Sequence, residues 1–137
     1  MRTARVGQVE KVAWVLVRDG RLLVARNHGR DLFYLPGGRR EPGETDSETL
    51  VREVREELGV TIDPSTMQLV AQVTAPRDGS PGEVTMTCYL ADHRGDPAPA
   101  SEIAELAWIT AAERGRVTVA EQQVMDCLAA SGAMPPR

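Results

Sequence analysis

A chain of 137 residues suits one domain with one core, and 42% hydrophobic with 26% charged residues is the balance of an ordinary soluble protein. The net charge of −4, with arginines scattered among acidic neighbours, offers no basic stripe and argues against a long nucleic acid as partner. No apolar run approaches the roughly 18 residues that span a bilayer. Residues 1–5 carry charge without the apolar stretch of a signal peptide, so the expectation is a cytoplasmic protein with no membrane attachment.

In chain order, residues 12–17 form a β-rich run, Asp19-Gly20 a hairpin turn and residues 22–24 the returning strand. A loop then leads to Phe33-Tyr34-Leu35, the punctuated stretch Pro36-Gly37-Gly38 and a turn at Glu41-Pro42-Gly43. The clearest helix follows. Thr45 and Glu48 make a capping box, Gly59 stands where a C-cap glycine belongs, and Leu50, Val51, Val54 and Leu58 recur at helical spacing. Residues 67–73 and 84–90 read as strands joined by a turn at Pro76-Arg77-Asp78-Gly79. Residues 92–100 read as a loop and residues 106–109 as a short strand. Ala120, Val124 and Leu128, with Met125, mark a last helix that stops at Gly132. Cys88 and Cys127 lie far apart without a CxxC pairing and read as small buried apolar residues. His28 and His93 are isolated and receive no role. Hairpins mixed with strand–helix alternation imply an α/β or α+β domain with a mixed sheet between helices.

The chemistry concentrates on the first helix. At about 100° per residue, Glu53, Glu56 and Glu57 fall within roughly one third of the circumference, next to the apolar stripe. Their mutual repulsion costs roughly 0.2–0.5 kcal/mol per pair. Their place in the C-terminal half also sets them against the helix dipole. Arg52 offsets part of this, and a divalent cation would reverse it, since Mg²⁺ takes oxygen ligands from a few carboxylates together with substrate phosphates. A solvated acidic face is the bland alternative for any such cluster. The glycine-rich approach at Pro36-Gly37-Gly38, where backbone comes close to an ion or phosphate, and Glu44 just outside the helix speak for the functional reading.

These residues resemble the catalytic signature of the Nudix hydrolases. Gly38, Glu44, Arg52, Glu53, Val54, Glu56, Glu57, Gly59 and Val60 match every specified position of that box, residues 38–60, and Leu35-Pro36-Gly37 is also typical of it. The resemblance implies a single domain over residues 1–137. Its fold would be an α/β/α sandwich with a mixed β-sheet and a loop–helix–loop catalytic motif. It implies a Mg²⁺-dependent pyrophosphohydrolase, with Mn²⁺ an alternative metal, that cleaves a nucleoside diphosphate linked to another moiety. Carried over by position, Glu56 and Glu57 look like the principal metal ligands. Glu53 looks like a further ligand or the catalytic group that handles water, and Gly37 like a carbonyl donor to the metal. Arg52 resembles the arginine that holds a box glutamate. Gly38 and Glu44 are expected just behind the ligands. Family members differ in which carboxylate is the base, and the segment Ser101-Glu102-Ile103-Ala104-Glu105 offers Glu102, with Glu105 its rival.

Substrate choice lies outside the box. Phe33 and Tyr34 lead into the catalytic loop and are the first candidates for stacking on a base, with Arg39 beside them for the substrate. Pro76 stands near where a proline recurs in ADP-ribose hydrolases of the family, although the turn it opens explains it as well. The compact chain favours a nucleoside triphosphate, oxidised ones included, as in MutT-like proteins. ADP-ribose or another nucleotide sugar is the alternative, and a sensor module that binds without turnover is the reading from another class. The expected partner is a small nucleotide, and the expected state a monomer or homodimer.

Overall fold

The computed structural model describes residues 8–134, so residues 1–5, read above for targeting, lie outside it. The chain forms β1 (Val9–Trp14), β2 (Val17–Arg18), β3 (Arg21–Asn27), β4 (Gly37–Gly38), α1 (Asp46–Leu58) and β5 (Thr61–Ile62). Then come β6 (Gln68–Pro76), β7 (Glu83–Leu90), β8 (His93–Arg94), β9 (Ile103–Ile109) and α2 (Val119–Ala130), with short 3-10 turns at Pro64–Thr66 and Ala111–Arg116.

One sheet runs β4-β1-β7-β6, with β1 and β7 parallel and the other pairs antiparallel; a second runs β2-β3-β9, and β5 pairs with β8. Strand alternation sorts side chains to two faces. Val12 and Trp14 of β1 and Leu23 of β3 pack with Leu50, Val54 and Leu58 of α1. Val9 and Ala13 of β1, Leu22 and Val24 of β3, and Val84, Met86 and Cys88 of β7 pack with Val124 and Leu128 of α2. The result is an α/β/α arrangement, as expected. Each of these buried aliphatic side chains contributes roughly 1.5–3 kcal/mol. No helix among the described residues is long and apolar enough to cross a membrane.

The ends of α1 follow the sequence closely. Thr45 and Glu48 form both bonds of the capping box, and Gly59 adopts a left-handed φ of 70° with its amide on the Arg55 carbonyl. Elsewhere the structure corrects the expectation. The run at residues 12–17 is not one strand, because the chain leaves the first sheet after Trp14 and enters the second at Val17. Residues 92–100 are not wholly loop, since His93–Arg94 pairs with Thr61–Ile62, and the His93 ring packs edge-on against Trp14 at 5.0 Å. The strand expected at residues 106–109 starts at Ile103 because β3 offers it a partner along its whole length. Pro76 ends β6 opposite Glu83, so the turn follows it. Cys88 is buried as expected, but Cys127 is exposed, on the outer side of α2.

Candidate active site

Residues of both helices and both sheets meet at a cavity of about 360 Å³. From α1 come Glu53 and Glu57, from β1 Lys11, from the segment before β4 Tyr34, and from the start of α2 Thr118 and Glu121. Asn27, at the end of β3, lines it too. The pairing of β3 with β9 slips between Arg26 and Asn27, and such bulges re-aim side chains. Arg30 and Asp78 form a 2.9 Å ion pair between two loops that also line the cavity.

The glycine pair explains the tight approach of loop and helix. Gly37 has φ 143°, and a Cβ there would lie 2.1 Å from the Val12 carbonyl oxygen; one on Gly38 would lie 2.2 Å from Glu53 Oε2. Glycine thus lets the loop rest on β1 with one residue and on a box carboxylate with the next. The Gly37 amide meets the box, donating to Glu57 Oε1 at 3.1 Å.

Glu57 is only 5% exposed. Burial is the dominant influence on it, and the Gly37 amide and Lys11 offset this only in part, so its carboxyl is pushed up to about 8. Burial also raises Glu53, against the pull of Arg52. Arg52 is the hub behind this pair. It grips Glu44 bidentately at 2.7 and 2.8 Å, reaches Glu53 Oε1 at 2.8 Å and donates to the Arg39 carbonyl at 3.2 Å. Its guanidinium is the first cause holding Glu44 down to about 2. Thr49 Oγ1 and the Glu41 amide complete the contacts of Glu44.

The structure brings together Gly37, Arg39, Glu53, Glu57, Tyr34 and Glu102, all of which line the cavity. It does not bring Glu56 there. Its side chain is 57% exposed on the outer flank of α1, 3.9 Å from Arg52, because Glu53 and Glu57, four apart, occupy the cavity side. Among the described residues no three acidic, histidine or cysteine side chains are already gathered tightly enough to hold a metal ion. Phe33 also departs from its expected role. It sits in the core at 5% exposure under the guanidinium of Arg116, while Tyr34, the next residue in an extended segment, faces the cavity. Of the two outside glutamates, Glu102 lines the cavity and accepts from Ser101 Oγ at 2.5 Å, whereas Glu105 lies on β9 in an ion pair with Arg26.

Sequence reasoning missed Lys11, Asn27 and Glu121. Glu121 is 2% exposed and carries a signal that was there to be read, the Thr118-x-x-Glu121 pattern, which repeats Thr45-x-x-Glu48. Asn27 Oδ1 and Tyr34 OH are buried without a hydrogen-bond partner in the described structure. The Tyr34 hydroxyl is also pushed up to about 12, by burial first and by Glu57 next.

An α/β/α domain whose glycine loop and helix set buried carboxylates on a cavity defines a class of hydrolase sites rather than a single enzyme. The family model described as the NUDIX domain matches residues 9–125, and the chain belongs to the Nudix family, whose hydrolases act on pyrophosphate bonds. The CTP pyrophosphohydrolase of Escherichia coli (strain K12) is 41% identical over 56 residues, covering 38% of this chain and 42% of that protein. The 8-oxo-dGDP phosphatase NUDT18 of Homo sapiens is 48% identical over 48 residues, covering 35% of this chain and 15% of that protein. The matched stretches therefore span less than half of either relative. The solution structure of the E. coli ORF135 protein is similar over 95% of both chains, with a TM-score of 0.74 at 28% identity.

Proposed function

We propose that this chain hydrolyses a pyrophosphate bond in a nucleoside diphosphate linked to a further group, with nucleoside triphosphates, oxidised ones included, as the substrate class. The observation that carries this is the mixture of charges lining one cavity: the buried Glu57 and the partly buried Glu53 together with Lys11 and Arg39. A polyphosphate is drawn by the two cations and repelled by the carboxylates, and a divalent cation between carboxylates and phosphate would turn that repulsion into attraction. The donor set fits such an ion, being all oxygen, with one member buried deeply enough that its own proton is hard to remove without a cation. Glu57 and Glu53 would hold Mg²⁺ or Mn²⁺, and Glu56, on the outer flank of α1, would join them only by turning its side chain inward. When bound, the metal neutralises phosphate charge and lowers the pKa of a water.

The chain's own residues do the rest of the work in this reading. Arg52 keeps Glu53 aimed, Gly37 keeps Glu57 aimed, and Glu102 supplies a carboxylate from outside the helix to accept a proton or complete the ligand set. Lys11 and Arg39 take phosphate oxygens. Tyr34 OH and Asn27 Oδ1 meet polar groups of the nucleoside, because leaving them unpaired costs about 1–3 kcal/mol each. The CTP and 8-oxo-dGDP activities named for two relatives support nucleoside phosphates, while an ADP-ribose pyrophosphatase of Methanocaldococcus jannaschii, 30% identical over 94 residues, keeps ADP-ribose as the alternative. The proline that suggested ADP-ribose closes a strand here. A cytoplasmic location and a monomer or homodimer belong to the same reading.

A panel of nucleoside triphosphates, their oxidised forms, ADP-ribose and nucleotide sugars, assayed with Mg²⁺ for phosphate and pyrophosphate release, tests it. Turnover of a triphosphate that stops in excess chelator is the expected result. Turnover of ADP-ribose alone would replace the substrate class. Tight nucleotide binding without any turnover would favour the sensor reading.

A further inference from the structure

We propose that Glu121 is a positioning residue for the catalytic loop, holding the backbone that aims Gly37 at Glu57; this rests on the site assignment above. The geometry begins as a short parallel ladder. The Phe33 amide donates to the Arg116 carbonyl at 2.9 Å, and the Thr118 amide to the Phe33 carbonyl at 3.3 Å. The next rung of a parallel ladder would take the Leu35 amide to the Thr118 carbonyl. That carbonyl is already taken, because α2 starts there and the Gln122 amide uses it at 2.9 Å. Glu121 fills the broken rung: its Oε2 accepts the Leu35 amide at 3.1 Å, while Thr118 Oγ1 donates to its Oε1.

Leu35 is the last residue that can be held this way before the loop. Pro36 has no amide hydrogen, and its carbonyl accepts from the Trp14 amide at 2.8 Å. The next amide, Gly37, is the one on Glu57. A line of contacts thus runs from α2 through Glu121, Leu35 and Gly37 to the buried carboxylate of α1. An ordinary apolar core position on α2 would leave the Leu35 amide buried without an acceptor.

Replacing Glu121 by Gln and by Leu separates the hydrogen bond from mere filling of space, since Gln keeps an acceptor and Leu does not. The expected result is that amide exchange at Leu35 and Gly37 speeds by at least about tenfold in E121L but not in E121Q, with β7 amides unchanged in both. In the same pair kcat falls roughly 10²-fold in E121L and little in E121Q, while KM for all bases moves by one small common factor. Exchange needs no substrate, so it reads this inference even if no nucleotide in the panel is turned over. Should E121L fail to fold, Thr118→Val removes only the hydroxyl that aims Glu121 and is expected to move exchange the same way by less. Unchanged exchange at Gly37 in both E121L and T118V, a KM change that depends on the base, or E121Q as damaged as E121L would overturn the proposal.

Discussion

The two helices begin with the same four-residue pattern, Thr45-x-x-Glu48 and Thr118-x-x-Glu121, and use it differently. At α1 the pattern closes on itself: Glu48 Oε1 accepts the Thr45 amide at 2.9 Å, and Thr45 Oγ1 accepts the Glu48 amide at 3.2 Å. At α2 the threonine hydroxyl makes no cap bond to the helix backbone, and the glutamate is turned inward to a neighbouring segment. What separates them is the surroundings. Glu48 faces solvent, where the helix's own amides are the best available partners, whereas Glu121 lies under the segment entering the catalytic loop. A capping box therefore tells where a helix starts, but not what its glutamate holds.

The comparison can be broken most forcefully at the buried glutamates themselves. Glu57→Gln removes a negative charge from the proposed ion site and is expected to lose roughly 10³-fold or more in kcat, several kcal/mol of transition-state stabilisation. Glu121→Gln, which keeps its acceptor, should stay near wild type in the same steady-state assay. Equal losses in the two would erase the distinction between a group at the reacting centre and one that positions it.

The threonines give a smaller effect. Thr45→Ala should lower stability by about 0.5–2 kcal/mol in urea unfolding, the usual worth of an N-cap, with kcat retained. Thr118→Ala should show the opposite emphasis, a modest stability change with a measurable loss of kcat. If both act only on stability, the α2 pattern is an ordinary helix start.

The same contrast explains how much was legible beforehand. Features set by local chemistry were readable: the cap at Thr45, the stripe of Leu50, Val54 and Leu58, and the left-handed Gly59. Features set by distant neighbours were not. Phe33 and Tyr34 are equally aromatic, and only the packing of Phe33 beneath Arg116 reveals which one turns inward. The helical wheel put Glu56 beside Glu53 and Glu57, but the boundary between cavity and solvent runs between them and depends on the loop that Gly37 and Gly38 bring close. Residues 12–17 are apolar throughout, so nothing in their pattern marks the change of sheet after Trp14. Glu121 belongs to the same group, since its partner at Leu35 is 86 positions away.

The central claim is that the buried carboxylates form a cation site, and thermal melting against pH, with and without Mg²⁺, tests it most directly. The Glu57 carboxyl is raised from 4.5 to about 8 in the folded protein, so folding retains a proton there that the unfolded chain releases. Its contribution to stability is therefore full below about pH 4.5 and is lost as pH rises through about 8; Glu53 and Glu121, also raised by burial, act in the same direction. Mg²⁺ binds the deprotonated form and stabilises the folded state by mass action. The account predicts a metal-free Tm that falls between about pH 5 and pH 8.5, and a rise in Tm on adding Mg²⁺ that is larger at the alkaline end and much reduced in Glu57→Gln. A Tm at about pH 8.5 that saturating Mg²⁺ leaves unchanged would contradict it.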